Sequence, residues 1–387
     1  MLPASLSHLP VPSAEAEAVS ANLGAHIRSE LEHSGGWLSF ARFMELVLYT
    51  PGLGYYSAGS IKLGPEGDFV TAPELSPLFA RCLARQVAQL RAAGIPEVIE
   101  LGAGSGVLAA ELLKALAALE QLPERYLILE VSGDLRERQR ARFAKLCPEL
   151  LERVEWLDVL PRGLEAVLVA NEVLDAIPTH VIRTRAGEIE ELGVTANGEA
   201  FQHAYRPATG ALLRAAATLR LPDDYETEIN LAARAFVSSF ARVIHRGVLL
   251  FIDYGFPAAE YYHPQRSRGT LMCHYRHQAH DDPFVLLGLQ DMTAHVDFTA
   301  IATAGTDADL SVMGFATQAQ FLVNAGITDI LAETPATDVR AYAPLAGQAQ
   351  KLLSSAEMGE LFKVLALGRG IDEPLLGFVR GDRTHTL

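Results

Sequence analysis

Cysteine is scarce in this 387-residue chain. Cys82, Cys147 and Cys273 are too few and too scattered for a disulfide frame or a zinc cluster, and they read as buried reduced thiols. Positive charge is also in short supply: 32 lysines and arginines face 47 acids, a net charge of −15. That balance disfavours a nucleic-acid partner and suits a basic protein substrate. No unbroken run of eighteen apolar residues occurs, so no membrane span is expected. The N-terminus lacks a basic region ahead of an apolar core, and its first basic residue is Arg28. Neither a secretory signal nor a transit peptide is therefore expected, and a cytoplasmic protein is. What remains is an ordinary globular composition, 49% hydrophobic and 20% charged, in a chain long enough for more than one lobe.

Residues 1–13, with three prolines, read as a mobile arm. Helical spacing runs from Glu15 to Ser34, where Gly35-Gly36 stops it, and Ser39 caps a second helix through Leu48. A glycine-rich stretch from Gly52 to Asp68 precedes Thr71-Ala72-Pro73-Glu74 and a helix through Leu90. From 96 to 256 short apolar strands alternate with helices, which predicts a parallel sheet covered on both faces. The candidate strands are 97–101, 126–131, 153–157, 166–171 and 247–253, with an Ala/Leu-rich helix over 107–119. Inside this region lies an insertion at about 180–245. Its part 181–205 alternates and carries the hairpin signals Gly187 and Asn197-Gly198, and its part 224–244 reads as a helix. A long polar loop is expected from Asp253 to about 292, and Leu375 to Arg380 reads as a last strand. Along the chain this gives segments 1–92, 93–258 and 259–387.

The richest stretch is Val98-Ile99-Glu100-Leu101-Gly102-Ala103-Gly104-Ser105-Gly106-Val107-Leu108. An apolar strand ends in a turn of three alternate glycines and enters an apolar helix. Glycine allows positive φ and close approach of a ligand, and the helix N-terminus favours an anionic group. A nucleoside-containing cofactor follows. A dinucleotide site would read G-x-G-x-x-G, but the position of its third glycine is Val107. The run Tyr126-Leu127-Ile128-Leu129-Glu130 ends a second strand in a carboxylate that can accept both hydroxyls of a ribose.

In a doubly wound sheet ligands bind beyond the carboxyl ends of the strands. Besides the glycine turn and Glu130, those ends carry Asp158, Asn171-Glu172 and Asp253-Tyr254-Gly255. Asp158 suits an adenine contact and equally a surface turn. Asn171-Glu172 follows strand four, the place for the group that accepts a transferred unit. A carboxylate there can grip a guanidinium through two parallel hydrogen bonds, or complement a helix dipole. The absence of an N-P-P-Y or D-P-P-Y string speaks against an amide or base acceptor. His274, His277 and His280 lie beside Asp281 and Asp282. They are open to three readings: a metal site, the lining of a substrate pocket with His277 or Asp253 taking up a proton, or plain loop.

Several strings in order close the reading. They are Gly54-Tyr55-Tyr56-Ser57, Gly67-Asp68-Phe69-Val70-Thr71-Ala72-Pro73-Glu74, the glycine turn, Asn171 to Pro178, Asp253-Tyr254-Gly255 and Gln290 to Phe298. Over about residues 36–380 the chain closely resembles the MidA-type methyltransferases, which include a mitochondrial arginine methyltransferase that assists assembly of respiratory complex I. The resemblance implies a Rossmann-like class I α/β fold with a mostly parallel seven-stranded sheet, a helical N-terminal region and an inserted substrate lobe. It implies S-adenosyl-L-methionine as cofactor and methylation of arginine in a protein substrate. By position, Glu100, Gly102, Gly104, Gly106, Glu130 and Asp158 fall to the cofactor, with Asp68, Thr71 and Pro73 in a covering loop. Asn171, Glu172, Asp253 and His277 fall to the chemistry. A homodimer is left open. Two other readings stand beside this one: a nicotinamide oxidoreductase, and a non-catalytic assembly chaperone that keeps the fold as a platform.

Overall fold

The computed structural model describes residues 6, 8–57, 71–130 and 132–387. The chain divides into two compact units, each built from three separated segments. The first unit holds Met1–Phe69, Asp175–Ala233 and Ala259–His295, and the second holds Val70–Leu174, Arg234–Ala258 and Val296–Leu387. The expected segments 1–92, 93–258 and 259–387 follow the chain, whereas these units interleave along it.

The second unit is organised by a central sheet. Its strands are β1 (Glu97–Leu101), β2 (Arg125–Leu129), β3 (Val154–Leu157), β4 (Leu164–Asn171), β5 (Ile244–Phe256), β6 (Ser311–Thr317) and β7 (Phe362–Arg369). Their order across the sheet is β3-β2-β1-β4-β5-β7-β6, and the two-residue strand Val296–Asp297 adds an eighth beside β5. The first five run parallel, and β7 is antiparallel to both β5 and β6. Strands at the middle of a parallel sheet must be apolar on both faces. Val98, Ile99, Val167, Leu168, Val248 and Leu249 are accordingly all fully buried. One face packs on Leu83, Val87, Leu112, Leu113 and Phe143 from the covering helices Pro77–Ala92, Val107–Ala118 and Gly133–Leu146. Each such side chain contributes roughly 1.5–3 kcal/mol by leaving water.

This is the class I architecture expected. The five expected strands all form, with ends shifted by up to three residues. The last strand is a correction: it is Phe362–Arg369, while Leu376–Phe378 forms only a 3-10 turn. Lys363, 3% exposed, sits inside β7 and breaks its apolar run in the sequence. Its amine donates to the carbonyls of Glu360 and Leu361, which is what makes its burial affordable.

In the first unit, helix Ala14–His33 begins at Ser13, whose hydroxyl accepts from the Ala16 N–H, and it ends before Gly35 and Gly36 at φ +72° and +81°. Helix Phe40–Tyr49 is capped by Ser39. Leu6 and Leu9 are buried beside Tyr275 and Leu286, so this part of the expected mobile arm is docked. A five-stranded antiparallel sheet takes in His180–Arg185, Glu188–Asn197, Ala200–Pro207 and Tyr225–Ile229, with Leu38–Ser39 at its edge. Both hairpins signalled by Gly187 and Gly198 form, with φ +79° and +63° at those glycines.

Two expectations are corrected here. Residues 224–244 are not one helix: Tyr225–Ile229 is a strand, and Leu231–Val243 is the helix. Tyr225-Glu226-Thr227-Glu228-Ile229 alternates with period two, and the Asn230 side chain accepts from the Ala233 N–H to start the helix. The stretch to 292 is not an unbroken loop either. It contains a three-stranded antiparallel sheet of Met272–Tyr275, Gln278–His280 and Asp291–Thr293. The turn joining the first two is Arg276-His277, with φ +46° and +63°. That left-handed geometry normally selects Asn-Gly, and its absence hid the hairpin.

Candidate active site

The carboxyl ends of β1, β2 and β4 gather most of the expected residues within the second unit. Gly102, Gly104 and Gly106 have φ of +58°, +52° and +80°, a conformation that strains any residue with a Cβ. Gly102 N–H donates to the Leu129 carbonyl at 3.1 Å, fastening the turn to the end of β2. A Cβ on Gly106 would meet Gln139 at 3.1 Å. The turn leads into helix Val107–Ala118, whose first N–H groups and positive dipole end favour an anion.

Glu130 is 4% exposed, just past β2. Its Oε1 accepts from the Ser132 N–H at 3.0 Å and its Oε2 from Gln139 Nε2 at 3.2 Å. These bonds aim the Glu130 carboxylate. Gln139 Nε2 also donates to the Gly104 carbonyl at 2.9 Å, and Gln139 Oε1 accepts from Trp156 Nε1 at 2.8 Å. One fully buried amide therefore ties the glycine turn, Glu130 and β3 together. No sequence pattern marks Gln139, a lone amide in the charged helix Gly133–Leu146.

Glu100 is 2% exposed and accepts from the Tyr126 hydroxyl at 2.5 Å. Burial pushes its carboxyl up to about 7, with the neighbouring charge of Glu130 adding to the rise and the Tyr126 bond opposing it. It lies within β1, two residues before the glycine turn begins. Thr71 precedes the short helix Ala72–Leu75, and Pro73 is buried in it. Glu74 of that helix accepts from the Ser105 hydroxyl, which fixes the segment on the glycine turn. Asp68 lies outside the described residues. Asp158 forms an ion pair with Arg136 at 2.7 Å, its own side chain 87% exposed. Arg136 also donates to the carbonyls of Glu130 and Leu157, joining the ends of β2 and β3.

The end of β4 carries a left-handed backbone. Glu172 has φ +53°, a strained value for a residue with a side chain, and its N–H donates to the Ile252 carbonyl at 2.9 Å. Asn171 Nδ2 donates to Glu172 Oε1 at 3.1 Å, while Asn171 Oδ1 is buried with no hydrogen-bond partner. Asp253, 1% exposed on β5, accepts from the N–H groups of Val173, Leu174 and Tyr254 at 2.9–3.2 Å. These bonds make Asp253 the clamp of the turn, a positioning role. His277 belongs to the first unit, at the exposed tip of the Met272–His280 hairpin. His274 and His280 lie on opposite faces of that hairpin, since His280 is the cross-strand partner of Cys273. Among the described residues no group of three or more His, Cys, Asp or Glu gathers as metal ligands would. None of the helices among them is long and apolar enough to cross a membrane.

A glycine cradle that side chains would fill, an aimed carboxylate, and an orphaned acceptor at the next strand end suit a nucleoside cofactor and a second reactant. Residues 78–316 match the family described as an S-adenosyl-L-methionine-dependent methyltransferase. The chain belongs to this methyltransferase family. A crystal structure of a Burkholderia thailandensis protein bound to S-adenosyl-homocysteine is 52% identical, covers 98% of this chain and 100% of that one, and superposes with a TM-score of 0.95. The mitochondrial protein arginine methyltransferase NDUFAF7 homolog of Drosophila melanogaster is 28% identical, covering 95% of this chain and 91% of its own length. The Danio rerio protein arginine methyltransferase NDUFAF7 is 26% identical over 92% of this chain and 89% of its own. The chain is an S-adenosylmethionine-dependent methyltransferase, and neither the oxidoreductase nor the chaperone reading is favoured.

Proposed function

We propose that this methyltransferase modifies an arginine side chain of a protein. The observation that carries the reading is the end of β4. There the buried, unpartnered Oδ1 of Asn171 stands beside the carboxylate of Glu172, on a turn clamped by Asp253. A guanidinium offers N–H donors and positive charge, which match an amide oxygen next to a carboxylate. The printed names of the Drosophila and Danio relatives point the same way.

When bound, the cofactor supplies an electrophilic methyl group. The N–H groups of the glycine turn and of helix Val107–Ala118 would hold its carboxylate, and Glu130 would hold its ribose hydroxyls. Glu172 draws positive charge toward one side of the guanidinium, leaving lone-pair density on the nitrogen that reacts. Asn171 Oδ1 accepts an N–H of that group and fixes its direction. The sulfur keeps the electron pair of the bond that breaks, the proton leaving the nitrogen passes to the Glu172 carboxylate and on to solvent, and the rest is positioning and exclusion of water.

The test is transfer of labelled methyl groups from S-adenosylmethionine into a lysate of cells lacking this protein, with the modified residue read by mass spectrometry. Methylarginine is expected; label confined to lysine, glutamine or chain N-termini would overturn the arginine reading. Glu172→Gln should lower transfer on the order of 100-fold while S-adenosylhomocysteine binds as before in a titration.

A further inference from the structure

Gln139 and the groups its side chain bonds all belong to the second unit. The side chain is fully buried, and each of these partners acts in one sense only. The Trp156 ring N–H donates and never accepts, whereas the Gly104 carbonyl and the Glu130 carboxylate accept. The atom 2.8 Å from Trp156 Nε1 is therefore the amide oxygen. The amide nitrogen in turn must face Gly104 at 2.9 Å and Glu130 at 3.2 Å. A flipped amide would set N–H against N–H and oxygen against oxygen. No other side chain meets the same demand: glutamate lacks the donors, methionine lacks donor and acceptor, and asparagine is one carbon shorter.

The surroundings hold these partners still. The Trp156 ring meets Phe143 edge to face, with centroids 6.1 Å apart and planes at 84°, and the Arg140 guanidinium lies over it at 4.4 Å. The Gln139 stem is confined as well, since a Cβ on Gly106 would meet its Cγ at 3.1 Å and its Cα at 3.4 Å. The main chain at Glu130 is tied separately, its carbonyl accepting from Arg136 Nε at 2.7 Å. Ser132 N–H holds Glu130 Oε1. Gln139 adds a hold on Oε2, and the two together fix the plane of the carboxylate. A carboxylate that loses this hold is looser, and ordering it when a ligand binds costs conformational entropy.

We propose that Gln139 is the positioning residue through which the protein reads the ribose hydroxyls of its methyl donor. It fixes the plane of the carboxylate with which the two adjacent hydroxyls pair. It does so from the same nitrogen that holds the Gly104 carbonyl, so the turn and the carboxylate keep one spacing. A nucleoside with both hydroxyls gains from this arrangement, and one without them does not. The inference rests on the assignment of Glu130 to the ribose and adds the residue that makes that grip selective.

The experiment titrates S-adenosylhomocysteine, and its analogue lacking both ribose hydroxyls, into the full chain and into Gln139→Met. Methionine matches the buried stem in length and has no amide. The unaltered chain should bind the analogue more weakly. Gln139→Met should lose about tenfold in affinity for S-adenosylhomocysteine and little for the analogue, so that the preference for the hydroxyls narrows. Should Gln139→Met fail to fold, Trp156→Phe, which removes the N–H that orients the amide, should show the same pattern with a severalfold loss. A folded variant that loses equally on both compounds has revealed a merely structural part and overturns the inference, as does one that loses on neither. In those two outcomes an unaltered chain that prefers the hydroxyls leaves Glu130 on the ribose. An unaltered chain that binds the two compounds alike removes Glu130 from the ribose and takes this inference with it.

Discussion

Glu100 shows how one side chain couples the site to solution conditions. Its carboxyl is raised from 4.5 to about 7 in the folded protein, mainly by burial. The folded state therefore holds a proton between those values that the unfolded chain has released. Stability linked to this group is fully present below about 4.5 and is lost as pH rises to about 7. Glu100→Gln removes the titration and leaves an amide oxygen for the Tyr126 hydroxyl. Melting temperatures without ligand should show the variant gaining on the unaltered protein between pH 5 and pH 8. A constant difference across that range would mean that Glu100 does not carry the coupling. At this scale the sequence exposed the glycine turn, Glu130 and Asn171-Glu172, because their chemistry sits at fixed distances from strand ends. Gln139 could not be read. It matters through atoms distant in sequence, the Gly104 carbonyl and the Trp156 ring nitrogen.

Among the elements, most strands of the central sheet and the alternating hairpin of 181–205 were legible, whereas β7 and Tyr225–Ile229 were not. β4 was found because Ala166 to Ala170 is uniformly apolar and wholly buried. β7 was missed because of Lys363, and Tyr225–Ile229 because the helix after it lent its spacing to the strand. The Arg276-His277 turn is the sharpest case, since two residues with side chains hold left-handed φ. Replacing the pair by Asn-Gly relieves that strain at an exposed tip. The double variant should gain about 0.5–1 kcal/mol by chemical denaturation. If methyl transfer falls with it, the hairpin tip has a role in turnover as well as in folding.

For the whole molecule, the chain passes between the two units five times, after Phe69, Leu174, Ala233, Ala258 and His295. Every segment of the first unit after its N-terminal one is tethered at both ends in the second. Four of the five strands of the antiparallel sheet come from Asp175–Ala233 alone. Tethers of this kind favour joint unfolding, since releasing one unit frees little chain while the other stays folded. A single heat-absorption peak is expected in calorimetry. S-adenosylhomocysteine at 100 times its dissociation constant should move the whole peak, with about 2.7 kcal/mol of added stability. Two peaks, only one of them moved by ligand, would show the units melting independently. The class I sheet was readable because its strands and helices recur in sequence order. The interleaving was not, because contacts between segments more than a hundred residues apart leave no local trace.

The bridge made by Gln139 has a consequence for how such a catalyst behaves in a cell. On the proposed reading, the glycine turn and Glu130, which it joins, hold the donor's carboxylate and ribose, which are chemically identical before and after the methyl leaves. Fresh and spent donor must then compete on nearly equal terms for the same grip. Throughput would follow the ratio of the two in the surrounding pool, so the enzyme would slow whenever spent donor accumulates, with no dedicated control element.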